Sequence, residues 1–113
     1  MIADTYAPVF TVKGTTQIVG IFGDPLVYTL SPKMHNSAFA RLGLDFVYVP
    51  FIVKPHQLKN AVESLRVQNI RGVNVTIPHK QAILPFMDEV SLLAGTIGAV
   101  NTVLNQRGKL IGH

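Results

Sequence analysis

Three times along the chain a short β-branched and aromatic run ends in a turn signal and hands over to a helical pattern. This alternation restricts the fold more than any single motif. Ile18, Val19, Ile21 and Phe22 are closed by Gly23-Asp24-Pro25, as a buried strand is. Ser31 then reads as an N-cap ahead of Pro32 at N1, and Met34, Ala38 and Leu42 recur at i, i+4 and i+8 until Gly43, which predicts a first helix. A second strand is predicted over Phe46–Ile52, and Pro55 opens a second helix whose apolar face is Leu58, Ala61, Val62 and Leu65. Ile70–Thr76 is a third strand. Pro78 is read as starting a short helix disturbed by Pro85, and Asp88 as capping another that carries Val90, Leu93, Ala94 and Ile97. Residues 99–104 and 109–111 form a hairpin around Asn105-Gln106-Arg107-Gly108. Strands alternating with helices imply an α/β fold with a mainly parallel, helix-covered sheet.

The composition agrees. A chain of 113 residues suits one domain, with residues 1–16 as a loosely held leader and 17–113 as the domain. Hydrophobic residues make up 48% and charged ones only 14%, against roughly 25% in ordinary soluble domains. Such a balance fits a sheet buried on both faces, or a domain whose partner covers apolar surface; both are expected here. His113 follows Ile111 and Gly112 with no cap or polar tail, so the domain reads as truncated at its C-terminal end.

Several classes of function are disfavoured. The ten Lys and Arg residues outnumber six Asp and Glu, but they stand singly along the chain, whereas a nucleic-acid footprint needs a cluster. There is no cysteine, which removes disulfides and thiol chemistry and suits a reducing cytoplasm. His35, His56, His79 and His113 have no metal-ligand spacing. No G-x-G-x-x-G occurs, so the chain has no dinucleotide fingerprint of its own. The longest apolar run, Phe46–Val53, contains Pro50 and is too short to span a bilayer. The first ten residues lack the basic and apolar regions of a signal peptide. A cytoplasmic location is expected.

In an open α/β sheet, ligands bind beyond the carboxyl ends of the strands. The unusual polar residues fall there. Thr29 and Ser31 follow the first strand, and their hydroxyls, with the free N–H groups of a helix start, suit an anion; N-capping by Ser31 alone is the plainer account. Asn74 and Thr76 share one face of the third strand, where an unpaired buried amide costs about 1–3 kcal/mol, so each needs a partner, whether a loop backbone or a ligand. Lys80, if Pro78 is N1, sits in a first helical turn whose macrodipole disfavours a cation. In a dry site that field would favour the neutral amine and suit proton exchange; a solvated lysine is the plainer alternative. Asn101 and Thr102 lie near the hairpin.

Three segments taken together, GDPLVYTLSPKMHNSAF from Gly23, GVNVTIPHK from Gly72 and IGAVNT from Ile97, resemble the amino-terminal, substrate-binding domain of the shikimate dehydrogenase family, over about residues 17–113. That family reduces 3-dehydroshikimate to shikimate with NADPH in aromatic amino acid biosynthesis. The resemblance implies that Thr29 and Ser31 hold the substrate carboxylate, that Asn74, Thr76 and Asn101 bind ring hydroxyls, and that Lys80 is the catalytic lysine. Two departures stand out. Thr29 replaces the usual serine, and its methyl could shift preference toward quinate. The family's Asn-Thr-Asp segment and its Rossmann NADP domain have no counterpart here, so the isolated chain is expected to be inactive. A stand-alone shikimate-binding module is the alternative.

Overall fold

A computed structural model of the chain describes residues 11–113; most of the expected leader, residues 1–10, lies outside them. The elements run β1 (Gln17–Gly23), α1 (Ser31–Leu42), β2 (Phe46–Ile52), α2 (Leu58–Val67), β3 (Gly72–Val75), β4 (Glu89–Val90), α3 (Leu92–Ile97), β5 (Thr102–Gln106) and β6 (Lys109–Gly112). One six-stranded sheet has the order β2-β1-β3-β5-β6-β4. The pairs β1–β2, β1–β3 and β4–β6 are parallel, while β3–β5 and β5–β6 are antiparallel. The mainly parallel α/β sheet is therefore observed, with an antiparallel β5–β6 hairpin. That hairpin turns on Arg107 and Gly108, both at positive φ (55° and 92°), the geometry that matches strand twist.

Period-two alternation divides the side chains between two cores. Phe22, Val73, Val75, Val103 and Leu110 meet Leu58, Val62 and Leu65 of α2 on one face. Ile21 and Tyr48 point to the other, with Leu26, Val19 and Phe39 of α1. Asn105, a buried strand residue, is fully satisfied. Its Nδ2 donates to the Leu65 and Ile70 carbonyls (2.8 and 3.0 Å), and its Oδ1 accepts from Gly108 N–H (2.8 Å). One side chain thus ties the end of α2 to the hairpin.

Several local expectations are corrected. Leu30, not Ser31, is the α1 N-cap; Ser31 is the first helical residue, and its N–H donates to Thr29 Oγ1 at 3.3 Å. The apolar stripe of α1 faces solvent, with Met34 63% and Leu42 70% exposed. The helix packs instead through His35 and Phe39, one position round, because the His35 ring stacks on Tyr48 and the Asn36 amide bonds the Tyr48 backbone. No helix starts at Pro78. Residues 76–87 form successive tight turns, ending in a 3₁₀ turn at Leu84–Phe86, since Pro78 and Pro85 cannot donate backbone hydrogen bonds. Asp88 caps no helix either. Its Oδ2 accepts from Leu110 N–H (2.7 Å), Val90 belongs to β4, and Ser91 caps α3 by accepting from Ala94 N–H (3.2 Å).

Candidate functional site

The carboxyl ends of β1, β2 and β3 are laced together by backbone hydrogen bonds between the loops that follow them. Val53 N–H donates to Gly23 O (3.1 Å), Asp24 N–H to Ile77 O (3.1 Å), and Thr76 N–H to Phe22 O (3.0 Å). The segment before β5 joins from the far side, where Val75 N–H donates to Asn101 O (2.7 Å) and Val100 N–H to Lys80 O (2.8 Å). Four stretches far apart in sequence are thereby held at one end of the sheet. The approach is close. A Cβ on Gly23 would run into the Thr76 methyl and the Leu26 side chain, so only glycine lets the β1 turn lie against β3.

Each predicted residue can now be located. Thr29 and Thr76 line one cavity of about 330 Å3, with Ile21, Pro25, Leu26 and Ile77. Ser31 is half-buried at the start of α1. Asn74 lines a second cavity of about 320 Å3, on the α1 side of the sheet, with His35, Tyr48 and Thr102. Its amide is paired, because Tyr48 donates its hydroxyl to Asn74 Oδ1 (2.7 Å) and Asn74 Nδ2 donates to Thr102 Oγ1 (3.2 Å). The partner that the strand amide needed is thus supplied within the protein. Lys80 and Asn101 have exposed side chains and are joined only through the backbone around Val100. Lys80 sits in a tight turn with no helix dipole behind it. The helix field expected at its amine is therefore absent, and what the fold provides is its place beside Asn101.

Three residues outside the predicted set shape this site. His79 is 1% exposed, and its Nε2 lies 2.5 Å from the Val53 carbonyl oxygen. A carbonyl only accepts, so Nε2 carries the proton. This bond ties the turn that bears Lys80 to the end of β2. Tyr48 is 3% exposed, and burial raises its phenol pKa above the ordinary value, opposed by the Ser31 hydroxyl. Asn36 donates to Tyr48 O (2.9 Å) and accepts from Tyr48 N–H (2.8 Å), closing the outer edge of β2. The spacing Ser31, His35, Phe39 at i, i+4 and i+8 was the available signal for the buried side of α1. It carries too few apolar residues to compete with Met34, Ala38 and Leu42.

The arrangement offers hydroxyls at Thr29 and Thr76 in one cavity, the Asn74 amide in a second, and an exposed amine and amide at Lys80 and Asn101. It suits a small, polar, hydroxylated acid. A family model described as the shikimate dehydrogenase substrate binding domain matches residues 21–103. The chain belongs to that family. A shikimate dehydrogenase (NADP(+)) of Halothermothrix orenii is 52% identical over 99 residues, covering 88% of this chain and 34% of the relative. The crystal structure of shikimate 5-dehydrogenase from Listeria monocytogenes in complex with shikimate and NAD superposes with a TM-score of 0.89 at 45% identity, covering 93% of this chain and 36% of that one. A 5-ketofructose reductase of a Gluconobacter strain shares the same domain, with a TM-score of 0.86 at 34% identity, over 89% of this chain and 36% of its own. The chain spans about a third of the length of these relatives.

Among the described residues, none form a dinucleotide site. The described strand-to-helix turns lack a glycine-rich phosphate cradle, and Gly95 and Gly98 lie within and at the end of α3. Among the described residues, no cluster of His, Asp or Glu is arranged to hold a metal ion, and no helix is long and apolar enough to cross a membrane.

Proposed function

We propose that this chain is the substrate-binding part of an NADP-dependent shikimate dehydrogenase acting in the cytoplasm, within aromatic amino acid biosynthesis. The observation that supports this most is the convergence of Thr29, Thr76, Lys80 and Asn101 at one end of the sheet through the laced loops. Thr29 and Ser31 hold the carboxylate of shikimate or 3-dehydroshikimate through their hydroxyls. Asn74, Thr76 and Asn101 bind ring hydroxyls. Lys80 keeps a proton at Nζ for the substrate oxygen on which negative charge develops during reduction, and takes it back in the reverse direction. The nicotinamide is held by groups other than the described residues, so turnover requires a dinucleotide-binding partner domain.

An amide-resolved NMR titration of the chain with shikimate tests this reading. Shifts at Ser31, Asn74, Thr76, Lys80 and Asn101 are expected. A dispersed spectrum that stays still at high shikimate would refute it. A second reading, an altered acid preference toward quinate, draws on the extra methyl of Thr29. A parallel titration with quinate decides between them, tighter quinate binding favouring the second.

A further inference from the structure

The carboxylate-binding and hydroxyl-binding halves of the proposed site are joined by one side chain that neither half includes. Tyr48 sits on β2 opposite Val19, and Asn74 on β3 opposite Ile21, so both lie on the face that α1 covers. Thr102 is the direct cross-strand neighbour of Asn74. The Tyr48 hydroxyl donates to Asn74 Oδ1 at 2.7 Å, and Asn74 Nδ2 donates to Thr102 Oγ1 at 3.2 Å.

The tyrosine itself is held from three directions. The His35 ring is stacked on it, with centroids 4.3 Å apart and planes 7° from parallel. Asn36 grips its backbone at both N–H and C=O. Its ring packs in the second core with Ile21 and Leu26. His35 and Asn36 belong to the same helix whose first residue is Ser31. The position of that helix start relative to Asn74 therefore passes through Tyr48.

We propose that Tyr48 is a positioning residue that fixes the orientation of the Asn74 amide and ties it to the substrate-carboxylate end of α1. The chemistry is one of donor count. An amide presents nearly the same shape in its two flipped forms, and the Thr102 hydroxyl can serve either, as donor or acceptor. In the observed geometry the phenol donates to Oδ1 and one Nδ2 hydrogen goes to Thr102, so the amide is pinned at both ends and the second Nδ2 hydrogen remains available to an oxygen of the ligand. Without the phenol hydroxyl, the amide keeps only its Thr102 partner and is free to turn. This inference rests on the shikimate reading for the identity of the ligand, while the tether itself does not depend on it.

Tyr48→Phe removes the hydroxyl and keeps the ring, so the stacking, the backbone grip and the fold are retained. The two side-chain amide cross-peaks of Asn74 in a 15N-correlated NMR spectrum of the chain report the tether directly, and shikimate titration reports its consequence. In Tyr48→Phe the Asn74 peaks are expected to shift or broaden and shikimate to bind about tenfold more weakly. Phe39→Leu, which loosens the same core without touching the hydroxyl, is the control and should lower stability while leaving the Asn74 peaks in place. Unmoved Asn74 peaks in Tyr48→Phe would overturn the proposal whatever the affinity. Moved peaks with undiminished shikimate affinity would also overturn it, since Asn74 would then need no positioning. If neither protein binds shikimate, the functional reading fails, and moved peaks still support Tyr48 as the residue that orients Asn74.

Discussion

The buried imidazole of His79 donates from Nε2 to the carbonyl of Val53 at 2.5 Å, joining the turn that carries Lys80 to the residue that follows β2. The contact spans 26 residues of sequence and is the only side-chain bond found between these two loops among the described residues. Replacing His79 with alanine leaves the Val53 carbonyl unpaired in a buried position and opens a cavity. The combined cost is about 2–4 kcal/mol. Chemical denaturation should show that loss, and the amide signals of His79, Lys80 and Val53 should move most. A change below about 0.5 kcal/mol would mean that the turn is held by its backbone bonds alone.

Lys80 makes no side-chain bond among the described residues, and its side chain is exposed. Its removal should therefore be nearly silent in stability and severe in chemistry. In a two-domain enzyme carrying this segment, Lys80→Met should lower kcat by about 10²- to 10⁴-fold, with melting temperature unchanged. Retained turnover would remove Lys80 from the proposed reaction.

Asn105 satisfies three backbone groups at once. Asn105→Ala strands the Ile70 carbonyl and the Gly108 N–H and leaves the Leu65 carbonyl with the Ile70 N–H as its remaining donor, for an expected loss of about 2–4 kcal/mol. Asn105→Asp should be comparably harmful, because a carboxylate cannot donate to the two carbonyls. Urea unfolding of both variants checks this, and a near-neutral Asn105→Ala would show that water substitutes for the amide.

The Asp88 carboxylate is held below the ordinary range, first by the Leu110 N–H and then by the Arg66 guanidinium. A lowered folded-state pKa means that its contribution is complete above the unfolded value, near pH 4, and is lost as pH falls through the folded value. Asp45 shifts the same way through the hydroxyls of Thr15 and Thr16. Stability should therefore fall as pH drops below about 4, and Asp88→Asn should flatten that slope. The effect is modest because the Asp88 side chain is 42% exposed. An identical pH profile in Asp88→Asn would assign acid sensitivity to other carboxylates.

Tertiary structure overrode the sequence pattern where a polar contact outweighed an apolar period. On α1 the run Met34, Ala38 and Leu42 satisfied the helical template, yet the helix rotated to put His35 against Tyr48 and Asn36 on the edge of β2. Templates that count apolar residues give a stacked imidazole or an edge-capping amide no weight. The stretch around Pro78 failed for a related reason, since a proline marks a helix start only if the following N–H groups find carbonyls four residues back. Here most of them close shorter turns.

What the sequence by itself determined was the succession of elements from β1 to β3 and the closing hairpin, the period-two division of Phe22, Val73 and Val75 from Ile21 and Asn74, and the identity of the polar residues at the strand ends. These are local matters, governed by backbone geometry and by the alternation of side chains along a strand. Only the tertiary structure decided which of those polar residues meet. Thr29 joins Thr76, Lys80 is carried next to Asn101, and Tyr48 binds Asn74 because the parallel crossovers and the antiparallel β3–β5 pairing bring segments 21 to 47 residues apart into register. Each such pairing depends on strand order and helix rotation, which are settled by packing the whole chain at once and by no window along it.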